Sequence, residues 1–330
     1  MTSPGSELET LPAEKAAPAP IAGRSPTQLA VTRFRKDRLS MISFTVVAVY
    51  LMAGIAAPFL VHFGVLDPTT FHQDKLDPSN GGLPIGAFGG ISWSHPLGLE
   101  PGTGRDVLSR VWYGITFSLT IALSATLVAM IIGTVLGIIS GYTGGWTDSI
   151  IGRGIDLTLS FPSTLMLLAL SGPAVQVLED WGVPAGDVSN GLYVMLVLGL
   201  FGWPYVARLI RGQVLSIRER EFIDAAILLG ASRRRLYFKE ILPNLWAPLL
   251  VTFTLTMPTY ISAEAALSFL GVGIKPPTPT LGNILKGSIS YSSADFLFFF
   301  IPAFLIMIIV VSFNLLGDGM GDALDPKSGR

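Results

Sequence analysis

The chain has 330 residues, of which 50% are hydrophobic and only 14% are charged. Its mean hydropathy is +0.57. Soluble globular domains carry about one quarter charged residues, so this composition indicates a chain whose main solvent is not water. The formal net charge of -1 excludes an overall basic footprint for nucleic acid. Because cysteine is absent, disulfide scaffolds, thiolate metal sites and cysteine nucleophiles are excluded as well.

The first 32 residues are rich in Pro, Ala and Ser and contain no apolar core. This composition predicts a disordered tail, not a cleavable signal peptide. After it, six apolar runs have the length of about 20 residues that a helix needs to cross a hydrocarbon core of about 30 Å. These runs are 41–60, 115–141, 157–178, 191–207, 245–270 and 296–316. We therefore predict an all-α integral membrane protein with six transmembrane helices.

Lys and Arg are distributed unevenly among the segments between these runs, and positively charged segments are retained on the cytoplasmic side of a membrane. If the N-terminus is cytoplasmic, few of the 22 Lys and Arg residues fall outside: Lys75, Arg105, Arg110, Lys275 and Lys286. The distribution therefore predicts that both termini lie in the cytoplasm.

Small residues recur every four positions along the second run, at Ala125, Ala129, Gly133, Gly137 and Gly141. Such a stripe lets a neighbouring helix approach closely, which is how helices associate in lipid. It predicts tight packing within a bundle and indicates nothing more specific.

Residues 67–114 are rich in Pro and Gly and predict a long extracytoplasmic loop. Near its end, Asp106 can cap a short amphipathic helix. The apolar side chains of that helix are then expected on the membrane surface: Val107, Leu108, Val111 and Trp112.

The cytoplasmic segment 212–244 predicts two short helices with a break between them. The first has an apolar face that combines two bulky and two small residues: Phe222, Leu229, Ala225 and Ala226. Gly230 stands where a left-handed C-terminal cap is needed. Ser232 can cap the second helix, which Pro243 is expected to close. An apolar face with small residues at its centre is typical of a helix that docks into a groove of a partner.

Three pieces of this segment resemble a known signature: Asp224-Ala225-Ala226, Gly230 and Ile241-Leu242-Pro243. They are similar in type and spacing to the EAA motif of ABC-importer permeases, with Asp224 in place of the usual Glu. The resemblance implies that the segment forms the coupling helix, which inserts into a cleft of an ATP-binding subunit. The residues that it assigns to ATPase coupling are Glu221, Asp224, Ala225, Ala226, Gly230, Ala231, Ile241, Leu242 and Pro243.

The resemblance extends over almost the whole chain after residue 32. The segments that carry it include His95-Pro96-Leu97-Gly98, Gly104-Arg105-Asp106, Gly141-Tyr142-Thr143-Gly144-Gly145-Trp146 and Asn314-Leu315-Leu316-Gly317-Asp318. These resemble dipeptide and oligopeptide permeases of the C type. The resemblance implies a type I ABC-importer permease fold in the plasma (inner) membrane. It also implies a heterodimer with a homologous second permease, two ATP-binding subunits and an extracytoplasmic binding protein.

On this interpretation the chain divides into regions with separate roles. They are a disordered cytoplasmic tail (1–32), a basic lead with the first transmembrane helix (33–66), the extracytoplasmic loop (67–114), a five-helix permease core (115–316) that contains the coupling loop (212–244), and a cytoplasmic C-terminus (317–330). Membrane lipid is the expected surrounding of the core, and nucleic acid is not an expected partner.

One acidic residue, Glu264, lies inside the fifth run, where an ionisable side chain is costly. It is a candidate for lining the translocation path, and the alternative is a structural carboxylate paired across the bundle. Pro162, Pro258 and Pro302 interrupt their runs and are interpreted as static kinks rather than hinges.

The sequence contains no G-x-x-x-x-G-K-[ST] motif, so this chain is not expected to hold nucleotide phosphates itself. We predict a non-catalytic subunit without metal or cofactor, with ATP and Mg on the partner ATPase subunits. Di- or oligopeptides are the expected cargo, and nickel, glutathione or another small solute is the alternative. An ion-coupled secondary transporter is the alternative from another class, although inverted repeats and discontinuous ion-binding helices are not evident.

Overall fold

The computed structural model describes residues 26–325, and nearly all regular structure in this range is helical. The helices are α1 (Pro26–Lys36), α2 (Arg38–His62), α3 (Val107–Thr143), α4 (Gly145–Ser160), α5 (Ser163–Asp180), α6 (Asp187–Ile217), α7 (Glu221–Leu228), α8 (Arg233–Arg235), α9 (Trp246–Leu270), α10 (Leu281–Ser288) and α11 (Phe296–Leu324). Two short antiparallel strands, β1 (Leu76–Asp77) and β2 (Leu83–Pro84), lie between α2 and α3, with Leu76 opposite Pro84.

Five helical stretches of the described chain are long and apolar enough to cross a membrane. They are α2, α3, α6, α11 and one continuous stretch, Arg233–Leu270, that ends with α9. The pair α4 and α5 passes the same test only when the two helices are taken together, and counting the pair as one span gives six. All six predicted runs lie in these helices, which confirms the predicted all-α membrane fold. Residues 63–106 and α10 lie at one end of the bundle, called here the loop face, and α7 lies at the opposite end, the coupling face.

The small residues of α3 face α6 and let the two backbones approach closely. A Cβ atom on Gly133 would stand 2.5 Å from the Cβ atom of Val206, and one on Gly137 would stand 2.8 Å from the carbonyl oxygen of Ala207. Van der Waals packing between close backbones is a main source of helix association in lipid, where the hydrophobic effect contributes little. The predicted packing role of the small-residue stripe is therefore confirmed.

The third predicted run, 157–178, is not one straight helix. The chain leaves the helical conformation at Phe161, which is extended at φ -81° and ψ 133°, and Pro162 stands at the N-cap of α5. The resulting bend between α4 and α5 is 81°. Proline lacks the N–H of the helical ladder and disfavours the α conformation of the preceding residue, so the break falls at this dipeptide. Pro258 and Pro302 lie inside the continuous helices α9 and α11.

The start of α3 corrects the prediction for the end of the loop. Asp106 does cap a helix, because its Oδ2 accepts a hydrogen bond of 2.7 Å from the N–H of Ser109. That helix, however, is not a short surface element but the first turn of α3, which continues for 37 residues. Val107 and Val111 are buried rather than laid on the membrane surface, since they pack into the apolar core of the bundle.

The predicted disordered tail, residues 1–32, extended too far, because a helix already begins at Pro26. Residues 26–36 form α1, which packs against the end of α11, and the guanidinium of Arg33 donates a hydrogen bond of 2.9 Å to the carbonyl oxygen of Asp325. The predicted disorder of residues 1–25 lies outside the described residues, as do residues 326–330. The last helix does not stop with its apolar run at Leu316 but extends to Leu324.

Candidate functional site

The coupling face carries a short helix, α7, whose predicted docking side is open. Phe222, Ala225 and Leu229 on this side are exposed, and Leu229 and the neighbouring Leu228 are each 88% exposed. Large apolar side chains exposed together on a surface mark a site of interaction. The two acidic residues Glu221 and Asp224 lie in the first turn of α7. Their negative charges interact favourably there with the positive end of the helix dipole.

The opposite side of α7 is anchored in the bundle by Ile223, which is 1% exposed. It belongs to a buried apolar cluster at the coupling face that also includes Ile210 and Val214 of α6, and Ile241 and Leu245 from the segment before α9. Close-packed side chains transmit displacement because the interior has few voids. Ile223 therefore packs α7 directly against the end of α6 and the segment that leads into α9.

The end of α7 has the geometry expected from Gly230. This residue has φ +78°, a left-handed conformation that glycine adopts without a steric penalty. The N–H of Ala231 donates to the carbonyl of Ala226 (3.0 Å), and the N–H of Gly230 donates to that of Ile227 (2.9 Å). This pair of bonds is the Schellman arrangement and closes the helix firmly.

The segment after this cap corrects the expectation for Pro243. Ser232 caps the next helix as predicted, with its Oγ accepting from the N–H of Arg235 at 3.4 Å. Pro243 does not close that helix, because the chain passes from α8 through a π-helical turn (Leu236–Ile241) and a 3-10 turn (Leu242–Leu245) into α9. Proline sits at the start of the 3-10 turn, where its missing N–H breaks no helical bond.

Two further contacts fasten the coupling segment to the end of α3. The guanidinium of Arg218, just after α6, donates to the carbonyl oxygen of Gly141 at 3.1 Å. The hydroxyls of Tyr237 and Thr143 share a hydrogen bond of 3.0 Å, and the ring of Tyr237 packs edge-on against Tyr142. The coupling segment thus contacts α3, α6 and α9.

The candidate Glu264 lies far from this site, about 27 Å along α9 from its first turn at 1.5 Å per residue. Its side chain is buried, and the residue is 1% exposed. Its two carboxylate oxygens accept hydrogen bonds of 2.7 Å, one from Ser118 of α3 and one from Ser268 of α9. The N–H of Leu281, at the start of α10, donates to the same Ser118 hydroxyl at 3.2 Å. This carboxylate therefore joins α3, α9 and α10 beneath the loop face.

The structure brings the predicted coupling residues together at one end of the bundle, but they differ in their exposure. Glu221, Asp224, Ala225, Gly230 and Pro243 are exposed, whereas Ile241 is wholly buried. Ala226, Ala231 and Leu242 are half-buried, which is intermediate between these two groups. Sequence reasoning missed Ile223 as the anchor and Leu228 as part of the exposed surface. Helical spacing did not single out Ile223, because Ile227, four residues further along, is 48% exposed.

The described residues thus form a multi-pass membrane bundle with close backbone packing and a short, partly exposed helix at one end. The family model described as the inner membrane component of binding-protein-dependent transport systems matches residues 133–330. The model for the N-terminal transmembrane domain of oligopeptide transport permease C matches residues 25–78. The chain belongs to this permease family and is a multi-pass protein of the inner membrane.

Curated relatives match along almost the whole chain. The dipeptide transport system permease protein DppC of Alkalihalophilus pseudofirmus is 36% identical over 307 residues, which cover 92% of this chain and 90% of the relative. The oligopeptide transport system permease protein OppC of Bacillus subtilis is 34% identical over 299 residues, covering 90% and 88%. These relatives confirm the resemblance to C-type dipeptide and oligopeptide permeases.

A solved structure shows the same fold. The inward-facing MetNI methionine ABC transporter, in its CY5 native crystal form, has a chain that aligns with a TM-score of 0.52 at 19% identity. The alignment covers 66% of this chain and 97% of that chain. The predicted ABC-importer permease fold is therefore confirmed.

Proposed function

We propose that this chain forms half of the translocation pathway of an ATP-driven importer for di- or oligopeptides. It is a non-catalytic subunit, and partner ATPase subunits hold ATP and Mg and supply the energy. A second, homologous permease completes the pathway as a heterodimer, two ATP-binding subunits dock on the coupling face, and an extracytoplasmic binding protein delivers cargo to the loop face. Both termini then lie in the cytoplasm.

The observation that carries this proposal is the two-sided character of α7. Phe222, Ala225 and Leu229 present an exposed apolar face to a partner, while Ile223 on the other side is packed into the bundle. A helix that binds a moving subunit on one side and the membrane core on the other can convert closure of that subunit into rearrangement of the bundle.

Peptide cargo is supported by the relatives, whose names specify dipeptide or oligopeptide transport. Competition of labelled dipeptide uptake by unlabelled di-, tri- and longer peptides tests this part of the proposal. Uptake that no peptide inhibits would overturn it.

The coupling role is tested by Ala225→Glu in the assembled transporter, reconstituted into liposomes with all partner subunits and the binding protein. A carboxylate buried without a partner in the docking groove is unfavourable, and each 1.4 kcal/mol of lost docking energy is about tenfold in affinity. We expect ATP-driven uptake to fall by about tenfold or more while the subunit still inserts in the membrane.

The matched control is Ala225→Ser, which keeps a small side chain at the same exposed position and is expected to leave uptake nearly unchanged. Copurification of the ATPase subunits with each variant separates a docking defect from a folding defect. If Ala225→Glu supports uptake at the rate of the unmodified chain, α7 is not the coupling helix.

A further inference from the structure

The loop face carries an exposed apolar surface at the opposite end of the bundle from α7. Its members are Ile85, Phe88, Ile91 and Trp93, and we call them the apolar tip. Trp93 is fully exposed, and Phe88 is 74% exposed. Between residues 78 and 99 the chain has no Asp, Glu, Lys or Arg. Exposed apolar side chains in an uncharged segment of this length are unusual for a surface that faces water alone.

The apolar tip is held by an ordered frame of backbone hydrogen bonds. The N–H of Leu99 donates to the carbonyl of Gly89 at 2.9 Å, which closes the loop at its base. Ser92 and His95 exchange two backbone bonds of 3.0 and 3.1 Å around Trp93. Phe88 itself has φ +54°, a left-handed conformation that is unfavourable for a bulky residue. The frame therefore displays these side chains rather than leaving them loose.

A chain of polar contacts fixes this frame to the first turn of α3. The ammonium of Lys75 donates to Nε2 of His95 at 2.8 Å. Since a lysine ammonium can only donate, Nε2 is the acceptor, and Nδ1 of His95 carries the proton that it donates to Asp106 at 3.0 Å. Asp106 is the residue that caps α3. The apolar tip thus has a fixed position relative to a membrane-spanning helix.

The frame also contacts the start of the last span. A Cβ atom on Gly89 would lie 2.6 Å from Oδ2 of Asp295, the N-cap residue of α11. A cavity of about 510 Å³ is lined by Phe88 together with Asp295, Phe296 and others. Phe296 is exposed and begins the apolar run that enters the hydrocarbon core. Phe88 therefore lies beside the start of α11, where the apolar run of that helix begins.

We propose that the apolar tip inserts into the interfacial layer of the lipid bilayer beside α11 and anchors the loop face to the membrane. Aromatic side chains concentrate at this depth because their rings tolerate the mixed environment of the headgroup region. The tip continues the exposed aromatic row of Phe296, Phe300 and Phe304 on α11, and its lack of charge removes the main cost of contact with lipid. These two features favour lipid over a docked protein as the occupant.

This chain contains no cysteine, so one introduced cysteine gives the chain a single spin label. Cysteine is introduced at Trp93, at Phe88 or, as the matched control, at Gln73, an exposed polar position of the same loop. Each full-length variant is purified with the subunits that copurify and placed in lipid nanodiscs. The accessibility of the label to oxygen, which concentrates in lipid, is compared with its accessibility to a water-soluble nickel complex.

We expect the ratio of oxygen to nickel accessibility to be several-fold higher at positions 93 and 88 than at position 73. Equal ratios at the three positions would overturn the proposal, because the tip would then face water. Protection from both reagents at 88 and 93 would overturn it in favour of a protein partner.

A second measurement keeps the native side chains in place. Brominated lipids quench only tryptophans that contact the bilayer, and the contribution of Trp93 is obtained by comparing the chain with its Trp93→Phe variant. The proposal requires that this contribution is quenched by brominated lipid. If brominated lipid leaves the fluorescence of Trp93 unchanged, the proposal is contradicted. This result does not depend on whether the spin-labelled variants fold.

Discussion

Arg211 of α6 holds Asp148 of α4 with two hydrogen bonds, from Nε to Oδ1 and from Nη2 to Oδ2, each 2.6 Å long. The hydroxyl of Ser140, near the end of α3, donates to the same carboxylate. One acidic side chain therefore connects three helices at the coupling face. A planar guanidinium matched to a carboxylate in this way fixes the orientation of both side chains.

We expect Asp148→Asn and Arg211→Gln to be energetically coupled by about 1 kcal/mol, because the pair is bidentate but remains partly open to solvent. The pair Arg208 and Asp156, between the same two helices, is the control, since its side chains are 54% and 70% exposed. Its coupling should be near zero. Double-mutant cycles on the free energy of unfolding measure the coupling in both pairs. Equal coupling energies would contradict the argument that the bidentate, less exposed pair is the stronger one.

Ile223 and Leu228 are expected to separate stability from partner binding. Ile223→Ala removes a fully buried side chain and should destabilise the coupling segment by about 3 kcal/mol, visible as faster hydrogen exchange in α7. Leu228→Ala, at an exposed position, should leave exchange unchanged and weaken retention of the ATPase subunits. If both variants retain the ATPase subunits as well as the unmodified chain does, α7 is not the docking helix.

Two glycine substitutions should have opposite signs. Gly133→Ala places a Cβ atom 2.5 Å from that of Val206, so α3 and α6 must separate, and we expect a loss of about 2 kcal/mol. Gly152 of α4 has no atom within 4 Å of such a Cβ position, and Gly152→Ala should stabilise the helix by about 0.5 kcal/mol. Thermal unfolding in detergent measures both variants, and a neutral Gly133→Ala would exclude tight backbone packing at that position.

The cap at Gly230 should tolerate asparagine better than alanine. No atom lies within 4 Å of a Cβ atom built there, so the cost comes only from the left-handed backbone and should be about 1 kcal/mol for Gly230→Ala. Asparagine adopts this conformation more readily, and Gly230→Asn should be closer to the unmodified chain. Peptide uptake at raised temperature compares the two variants. If Gly230→Asn loses more uptake than Gly230→Ala, the left-handed φ of residue 230 does not determine the cost of substitution.

Glu264 should behave as a structural acceptor. Glu264→Leu leaves the hydroxyls of Ser118 and Ser268 without their acceptor in a buried site, and we expect it to lose about 2 kcal/mol more than Glu264→Gln. Equal unfolding temperatures for the two variants would contradict a structural role. Unchanged stability together with altered selectivity among peptides would instead assign Glu264 to the pathway.

Some features followed from local rules and could be read along the chain. The span positions, the cap at Asp106, the stop at Gly230 and the small-residue stripe of α3 each depend on neighbouring residues or on helical spacing. The prediction for residues 107–112 was wrong because amphipathic spacing within one turn cannot reveal how far a helix continues. The prediction for Pro243 was wrong because a preceding π-helical turn shifts the hydrogen-bond register and accommodates the proline.

The sequence by itself determined that this protein spans a membrane as a bundle of helices and where its short helices begin and end, because hydrophobic length and turn chemistry are properties of the chain in order. Only the tertiary structure decided which side of α7 is anchored by Ile223, which helices meet at Asp148 and Glu264, and that Phe88 lies beside the start of α11. Those relationships join residues that are distant in sequence, and packing in three dimensions selects them by shape and hydrogen bonding.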